Sequence, residues 1–180
     1  MNNDEIFNHL NKVLKDTIIK QDEPLKYYTF TKIGGPADVL AFPKCYEDIE
    51  TLYAFTKENN IPLTILGNGS NVLITDNGIR GVVINLTELN LIETEGDSIT
   101  AQCGARIIDV SYKALEQSLT GLEFACGIPG SVGGALYMNA GAYGGEIADV
   151  LESALVIKEG KVTKIPAAEL DLSYRHSSVE

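Results

Sequence analysis

The stretch Leu66-Gly67-Asn68-Gly69-Ser70-Asn71 constrains this chain more than any other. It joins the apolar run Ile61-Pro62-Leu63-Thr64-Ile65 to Val72-Leu73-Ile74 through two glycines one residue apart. Glycine reaches backbone conformations closed to other residues, and in such a run successive N–H groups can face one concavity suited to an anion, usually a phosphate. Val72 stands where the dinucleotide fingerprint of the doubly wound fold requires a third glycine, so that fingerprint is absent. No helix fits after the loop. Thr75-Asp76-Asn77-Gly78-Ile79-Arg80-Gly81 reads as a turn, and the strand Val82-Val83-Ile84-Asn85-Leu86 follows at once. An anion here would be held by loop amides without a following helix dipole. An ordinary tight connection satisfies the same pattern.

Charge narrows the partners. With 25 acidic and 14 basic residues the formal net charge is −11, which argues against a surface for nucleic acid or anionic lipid. Any anionic ligand must be met by local backbone donors or a few placed cations. Met1-Asn2-Asn3-Asp4-Glu5 has no positive region before an apolar stretch, and no apolar run reaches membrane-spanning length, so no membrane partner and a cytoplasmic location are expected. Cys45, Cys103 and Cys126, with only His9 and His176 available, form no zinc pattern or disulfide framework; no metal site is expected, and the cysteines read as buried small hydrophobes.

In chain order, Ile6, Phe7, Leu10, Val13, Leu14 and Ile18 recur at helical spacing behind a cap at Asn3 or Asp4, which predicts an N-terminal helix within residues 1–24, ending before Pro24. Gly34-Gly35-Pro36 leads into a strand from Ala37 to Phe42, and a helix is expected from Tyr46 to Asn59 with Ile49, Leu52, Tyr53 and Thr56 on one face. Past Leu86, Gly96-Asp97 divides the flanking segments Leu91–Glu95 and Ser98–Gln102 into a hairpin. Ile107, Val110, Ala114 and Leu115 predict a helix, and Glu159-Gly160 turns a second hairpin over 154–165. The class is α+β, with a first lobe at 25–90 built on a small mixed sheet and a second at 91–180 with a mainly antiparallel sheet and helices.

Fourteen of the 17 glycines lie between Gly67 and Gly145. The densest run is Gly127-Ile128-Pro129-Gly130-Ser131-Val132-Gly133-Gly134, followed by Asn139-Ala140-Gly141-Ala142-Tyr143-Gly144-Gly145. Such density costs conformational entropy, which points to close approach of backbone to a flat or phosphorylated ligand, the alternative being a glycine-lined packing corner. Gly-x-Ser-x-Gly and Walker patterns are both missing. Arginine is scarce, with only Arg80, Arg106 and Arg175, and its rigid fork suits carboxylate or phosphate oxygens.

Taken together, Thr31-Lys32-Ile33-Gly34-Gly35-Pro36-Ala37-Asp38, Leu66 to Asn71, Gly127 to Gly134, Asn139 to Gly144 and Tyr174-Arg175 closely resemble the UDP-N-acetylenolpyruvoylglucosamine reductases, flavoenzymes of bacterial cell-wall precursor synthesis. The glycine loop alone would indicate only the wider flavin family of the vanillyl-alcohol oxidase type; the combination is specific. The resemblance implies a two-lobed FAD-binding domain whose FAD is reduced by NADPH and acts on a UDP-sugar enolpyruvyl ether; no histidine or cysteine is assigned to a covalent flavin link, so noncovalent FAD is expected. It implies that Gly67, Asn68, Gly69, Ser70 and Asn71 hold the pyrophosphate. Gly127, Ile128, Gly130, Ser131, Val132 and Gly133 would line the ribityl and isoalloxazine region, with Asn139 and Gly141 near flavin or substrate. Arg175 matches the family's catalytic arginine and Tyr174 a substrate contact. In the family a substrate-binding domain carrying a serine proton donor and, near its C-terminus, a supporting glutamate follows the Tyr-Arg segment, whereas this sequence stops at Glu180. It reads as the N-terminal FAD-binding part, inactive alone. Two other readings are a flavin-binding module without turnover and a related flavin oxidase acting on a different sugar.

Overall fold

In a computed structural model, which describes residues 1–179, the chain divides into two compact units, Met1–Leu89 and a second from Asn90 onward. The first opens with helix α1 (Asn3–Val13), capped by Asn2, whose side chain accepts from the Glu5 amide while the Glu5 carboxylate accepts from the Asn2 amide. The sequence predicts a cap one or two residues later and a helix reaching Ile18. Instead the helix ends at Val13, and Ile18–Pro24 forms strand β1. The β-branched pair Ile18-Ile19 favours the extended backbone, and the edge of β2 (Pro36–Phe42) is there to receive it, with Ile18 opposite Phe42 and Ile19 opposite Ala41.

Helix α2 (Tyr46–Glu58) crosses from β2 to β3 (Leu63–Leu66), and β4 (Ile79–Asn85) inserts between them, giving the order β1-β2-β4-β3. β1 runs antiparallel to β2, while β2, β4 and β3 are mutually parallel, so the sheet is mixed as the sequence predicts. Both faces of the middle strands are buried: Leu40, Phe42 and Val83 join Leu25, Ala37, Leu66 and Ile74 in one cluster, and Val39, Ala41, Val82 and Ile84 are also buried. α1 packs on β1 and β2, and the His9 ring stacks on Phe55 of α2 at 4.6 Å. On α2 it is Phe55 that is buried with Ile49, Leu52 and Thr56, Tyr53 being only half-buried.

Among its described residues the second unit holds three separate two-stranded antiparallel ladders rather than one sheet: β5 (Ile92–Glu95) with β6 (Ser98–Ala101), β7 (Gly141–Ala142) with β8 (Gly145–Glu146), and β9 (Ser153–Lys158) with β10 (Lys161–Pro166). Helix α3 (Ile107–Glu116) buries Ile107 and Val110 against Phe124, Ala125, Ala135 and Ile147, and Ala114 is buried too, but Leu115 is 72% exposed. A six-residue helix α4 (Val132–Tyr137) emerges from the glycine run. No local propensity announces it, since Gly133 and Gly134 disfavour helix; the Ser131 cap and the burial of Ala135 hold it. Cys45 and Cys126 are exposed and Cys103 is intermediate, all three unpaired, so the expectation of buried cysteines fails. Among the described residues no helix is long and apolar enough to cross a membrane.

Candidate functional site

The loop 67–71 leaves the carboxyl end of β3, beside the end of β4, where Leu66 pairs with Asn85. Ligands of sheets with parallel strands gather at such carboxyl ends. Gly69 has φ +64°, its carbonyl accepts from the Phe30 amide at 3.0 Å, and a Cβ there would lie 2.2 Å from the Tyr28 carbonyl oxygen. Glycine is therefore needed at this position to let segment 28–30 cross the loop. The amides of Gly67, Gly69 and Ser70 donate to no acceptor among the described residues. Segment and loop together form a cleft of about 220 Å³ lined by Tyr27, Tyr28, Thr29, Phe30, Lys32, Gly67, Asn68, Asn85 and Thr87.

Tyr28 is fixed from its far end. Its hydroxyl donates to Glu23 Oε1 at 2.6 Å and accepts from Lys20 Nζ at 2.8 Å, and Lys20 Nζ also reaches Glu23 Oε1 at 2.9 Å. Hydrogen bonds from Tyr28 and then Lys20 hold the Glu23 carboxyl below its usual range; burial, followed by the bond to Glu23, pushes the Tyr28 phenol up. Neither the aromatic wall nor Lys32 is legible from composition, because only the crossing at Gly69 brings them to the loop.

In the second unit the glycine run is fastened to its own backbone. Ile107 donates to the Gly130 carbonyl at 3.0 Å, Val132 to Ala105 at 2.8 Å and Gly133 to Cys103 at 2.7 Å, so the Val132 and Gly133 amides are already used. Ser131 is 2% exposed and its hydroxyl accepts from the Gly134 amide at 3.3 Å. Gly127 has nothing within 4 Å of a built Cβ, leaving an open face, whereas a Cβ on Gly141 would meet the Gly145 carbonyl at 2.7 Å, so that glycine serves the β7–β8 ladder. A cleft of about 350 Å³ is lined by Gly121, Glu123, Phe124, Tyr143, Gly144 and Gly145.

Asn139 is 3% exposed, with φ +41°; its Nδ2 donates to the Ser173 carbonyl at 3.2 Å and its Oδ1 accepts from the Ala148 amide at 2.9 Å. That tether ends one residue short of Tyr174-Arg175. These two form the tip of a turn closed by reciprocal Ser173 and His176 backbone bonds of 3.1 Å, with Arg175 at φ +55° and both side chains exposed. The fully buried Ser177 anchors the turn from the other side, donating to the Tyr137 carbonyl at 2.9 Å. The sequence gives no sign of the Ser177 anchor.

The profile of the FAD binding domain family matches residues 37–165. The chain belongs to this FAD-binding family. It is 53% identical to the UDP-N-acetylenolpyruvoylglucosamine reductase of Staphylococcus epidermidis over 181 aligned positions, covering 100% of this chain and 59% of that protein. Among solved structures, UDP-N-acetylenolpyruvylglucosamine reductase (MurB) from Thermus caldophilus superposes with TM-score 0.74 at 33% identity, over 89% of this chain and 56% of that one. Alkyldihydroxyacetonephosphate synthase, at 18% identity and TM-score 0.68, shares the fold, over 89% of this chain and 34% of its own. The chain thus spans a little over half the length of the curated relatives it matches. The residues present fit FAD: its pyrophosphate needs N–H donors and positive charge, and the Gly67 amide and Lys32 supply both at one cleft, with the Gly69 and Ser70 amides following in the same loop.

Proposed function

We propose that this chain is the FAD-binding portion of a UDP-N-acetylenolpyruvoylglucosamine reductase, which uses NADPH to reduce the enolpyruvyl ether of UDP-N-acetylglucosamine to UDP-N-acetylmuramate in the cytoplasm, for cell-wall synthesis. The observation that carries it is the 53% identity to the Staphylococcus epidermidis reductase across the whole chain. Lobes at 25–90 and 91–180 bind the cofactor, and the part of the relatives that this chain does not span completes the substrate pocket. The 180-residue chain then binds FAD without forming product.

Bound noncovalently, FAD supplies hydride relay from NADPH to the enolpyruvyl double bond. Gly67, Asn68, Gly69, Ser70 and Asn71 hold the pyrophosphate, with Lys32 adding charge at the same cleft. Gly127, Ile128, Gly130, Ser131, Val132 and Gly133 line the ribityl and ring region; Val132 and Gly133 act by shape, their amides being spent on Ala105 and Cys103. Asn139, with Gly141 nearby in sequence, positions the Ser173–His176 turn. Tyr174 contacts substrate from that turn. Hydride addition beside a carboxylate builds negative charge, and the Arg175 guanidinium, on a backbone held in a left-handed conformation, stabilises it.

The test begins with absorbance of the purified chain titrated with FAD; a chain that takes up no flavin ends the proposal. In the protein extended to the length of its relatives, Arg175→Ala leaves the NADPH half-reaction nearly normal and slows turnover of the enolpyruvyl substrate by about a hundredfold or more, with Arg175→Lys milder. Loss confined to the NADPH step would make Arg175 structural.

A further inference from the structure

Asn85 ends β4 opposite Leu66 and is only 1% exposed, yet it lines the cleft with Gly67, Asn68 and Lys32. Its Oδ1 accepts from the Thr87 amide at 3.0 Å and from the Thr87 hydroxyl at 2.6 Å. A backbone amide can only donate, so it fixes the side-chain oxygen toward Thr87 and turns Nδ2 the other way. Nδ2 donates to no acceptor among the described residues. Among the described residues the fully enclosed side-chain atom without a hydrogen-bond partner is Asp38 Oδ1, so Asn85 Nδ2 is not sealed in the core but is reached from the cleft, where a donor can meet a bound acceptor.

The surroundings say what kind of partner. In a chain of net charge −11, none of the nine residues lining this cleft is acidic, and one is a lysine held at φ +58°. Glu23, which reaches Tyr28, is already compensated by Lys20. Donors and positive charge without a carboxylate select an acceptor-rich anion. We infer that the Asn85 side-chain amide is a buried hydrogen-bond donor to the phosphoryl oxygens of the FAD pyrophosphate, making the cleft floor part of the anion site alongside the loop amides. This rests on the proposed FAD binding.

Asn85→Asp keeps an oxygen for Thr87 and exchanges the N–H group for a repelling carboxylate; Asn85→Leu removes the donor without adding charge. Titration of the 180-residue chain with FAD, followed by flavin fluorescence, is expected to give a Kd raised about a hundredfold or more for Asn85→Asp and about tenfold for Asn85→Leu. Melting without FAD separates a folded variant from an unfolded one. Should neither variant fold, the side-chain amide resonances of Asn85 in the parent chain, selectively labelled with nitrogen-15, are expected to shift on saturation with FAD. A folded Asn85→Asp with the parental Kd, or resonances unmoved at saturation, would overturn the inference while leaving the FAD reading intact. A parent chain that binds no FAD would bring down both.

Discussion

In the first unit, a Cβ added at Gly35, Gly69, Gly78 or Gly81 would lie 1.8 to 2.3 Å from a backbone carbonyl oxygen, respectively of Asp76, Tyr28, Pro36 and Pro62. In the second, Gly127 and Gly144 have nothing within 4 Å, and the nearest atom to a Cβ on Gly134 is the Ser131 hydroxyl at 3.3 Å. Glycine enrichment that looks uniform in the sequence therefore answers two demands. The first unit spends its glycines on letting its own segments cross. Part of the second leaves backbone open to whatever approaches. A glycine's presence in a motif does not separate these cases; the occupant of its missing side chain does.

The largest expected effect is at Gly69. Alanine there collides with the Tyr28 carbonyl and forces a left-handed backbone on a residue with a side chain, so it should cost about 3 kcal/mol or more of folding stability, read by urea unfolding without FAD. Flavin lost by such a variant reports on the fold before it reports on phosphate contacts. Parental stability in Gly69→Ala would break the comparison. Gly127→Ala is its counterpart: stability should stay within about 0.5 kcal/mol, while FAD affinity drops about tenfold if that open face meets the ligand. Unchanged affinity would show an open face with no occupant.

The smallest effect sharpens the first half of the comparison, because Tyr28 both blocks the Cβ site of Gly69 and is held by Glu23. Glu23 sits below its ordinary value of 4.5, so the folded state binds this proton more weakly than the unfolded chain. Its contribution is present above that value and is lost as the pH falls through the lower folded one. Glu23→Gln should lower stability by about 0.5 kcal/mol at neutral pH, a figure kept small by solvent screening, and the gap from the parent should close in acid. Melting temperatures measured from neutral to acidic pH would show it; a gap that is constant with pH would mean the carboxylate is not the anchor. At the alkaline end the sign reverses, since Lys20 and Tyr28 both hold their protons more tightly in the fold, and what they contribute is lost as the pH rises.

The features legible in the sequence are those that one segment encodes alone. Alternation and turn pairs locate the hairpins at 92–101 and 153–166, helical periodicity locates α2 and α3, and the glycine loop announces a special backbone before any fold is known. Five resemblance segments reach the same family by a different route. Elements decided by a distant partner stay hidden: Ile18-Ile19 reads as the end of a helix until β2 offers an edge, and the glycine run gives no helix over Val132–Tyr137 until Ser131 caps it and Ala135 finds a core.

For the site the division follows the same cause. The sequence by itself determined which backbone stretches can adopt conformations that expose N–H groups, because that is set by the missing Cβ of Gly67 and Gly69. It also supplied Arg175 and Tyr174, through motif. Tertiary structure decided what stands around them. The Leu66–Asn85 pairing puts an amide donor under the loop, the crossing at Gly69 brings Lys32 and an aromatic wall beside it, and Asn139 ties down the turn that carries Arg175. These neighbours are far apart along the chain, and only strand pairing and core burial repay the entropy of bringing them together, so no local pattern could have named them.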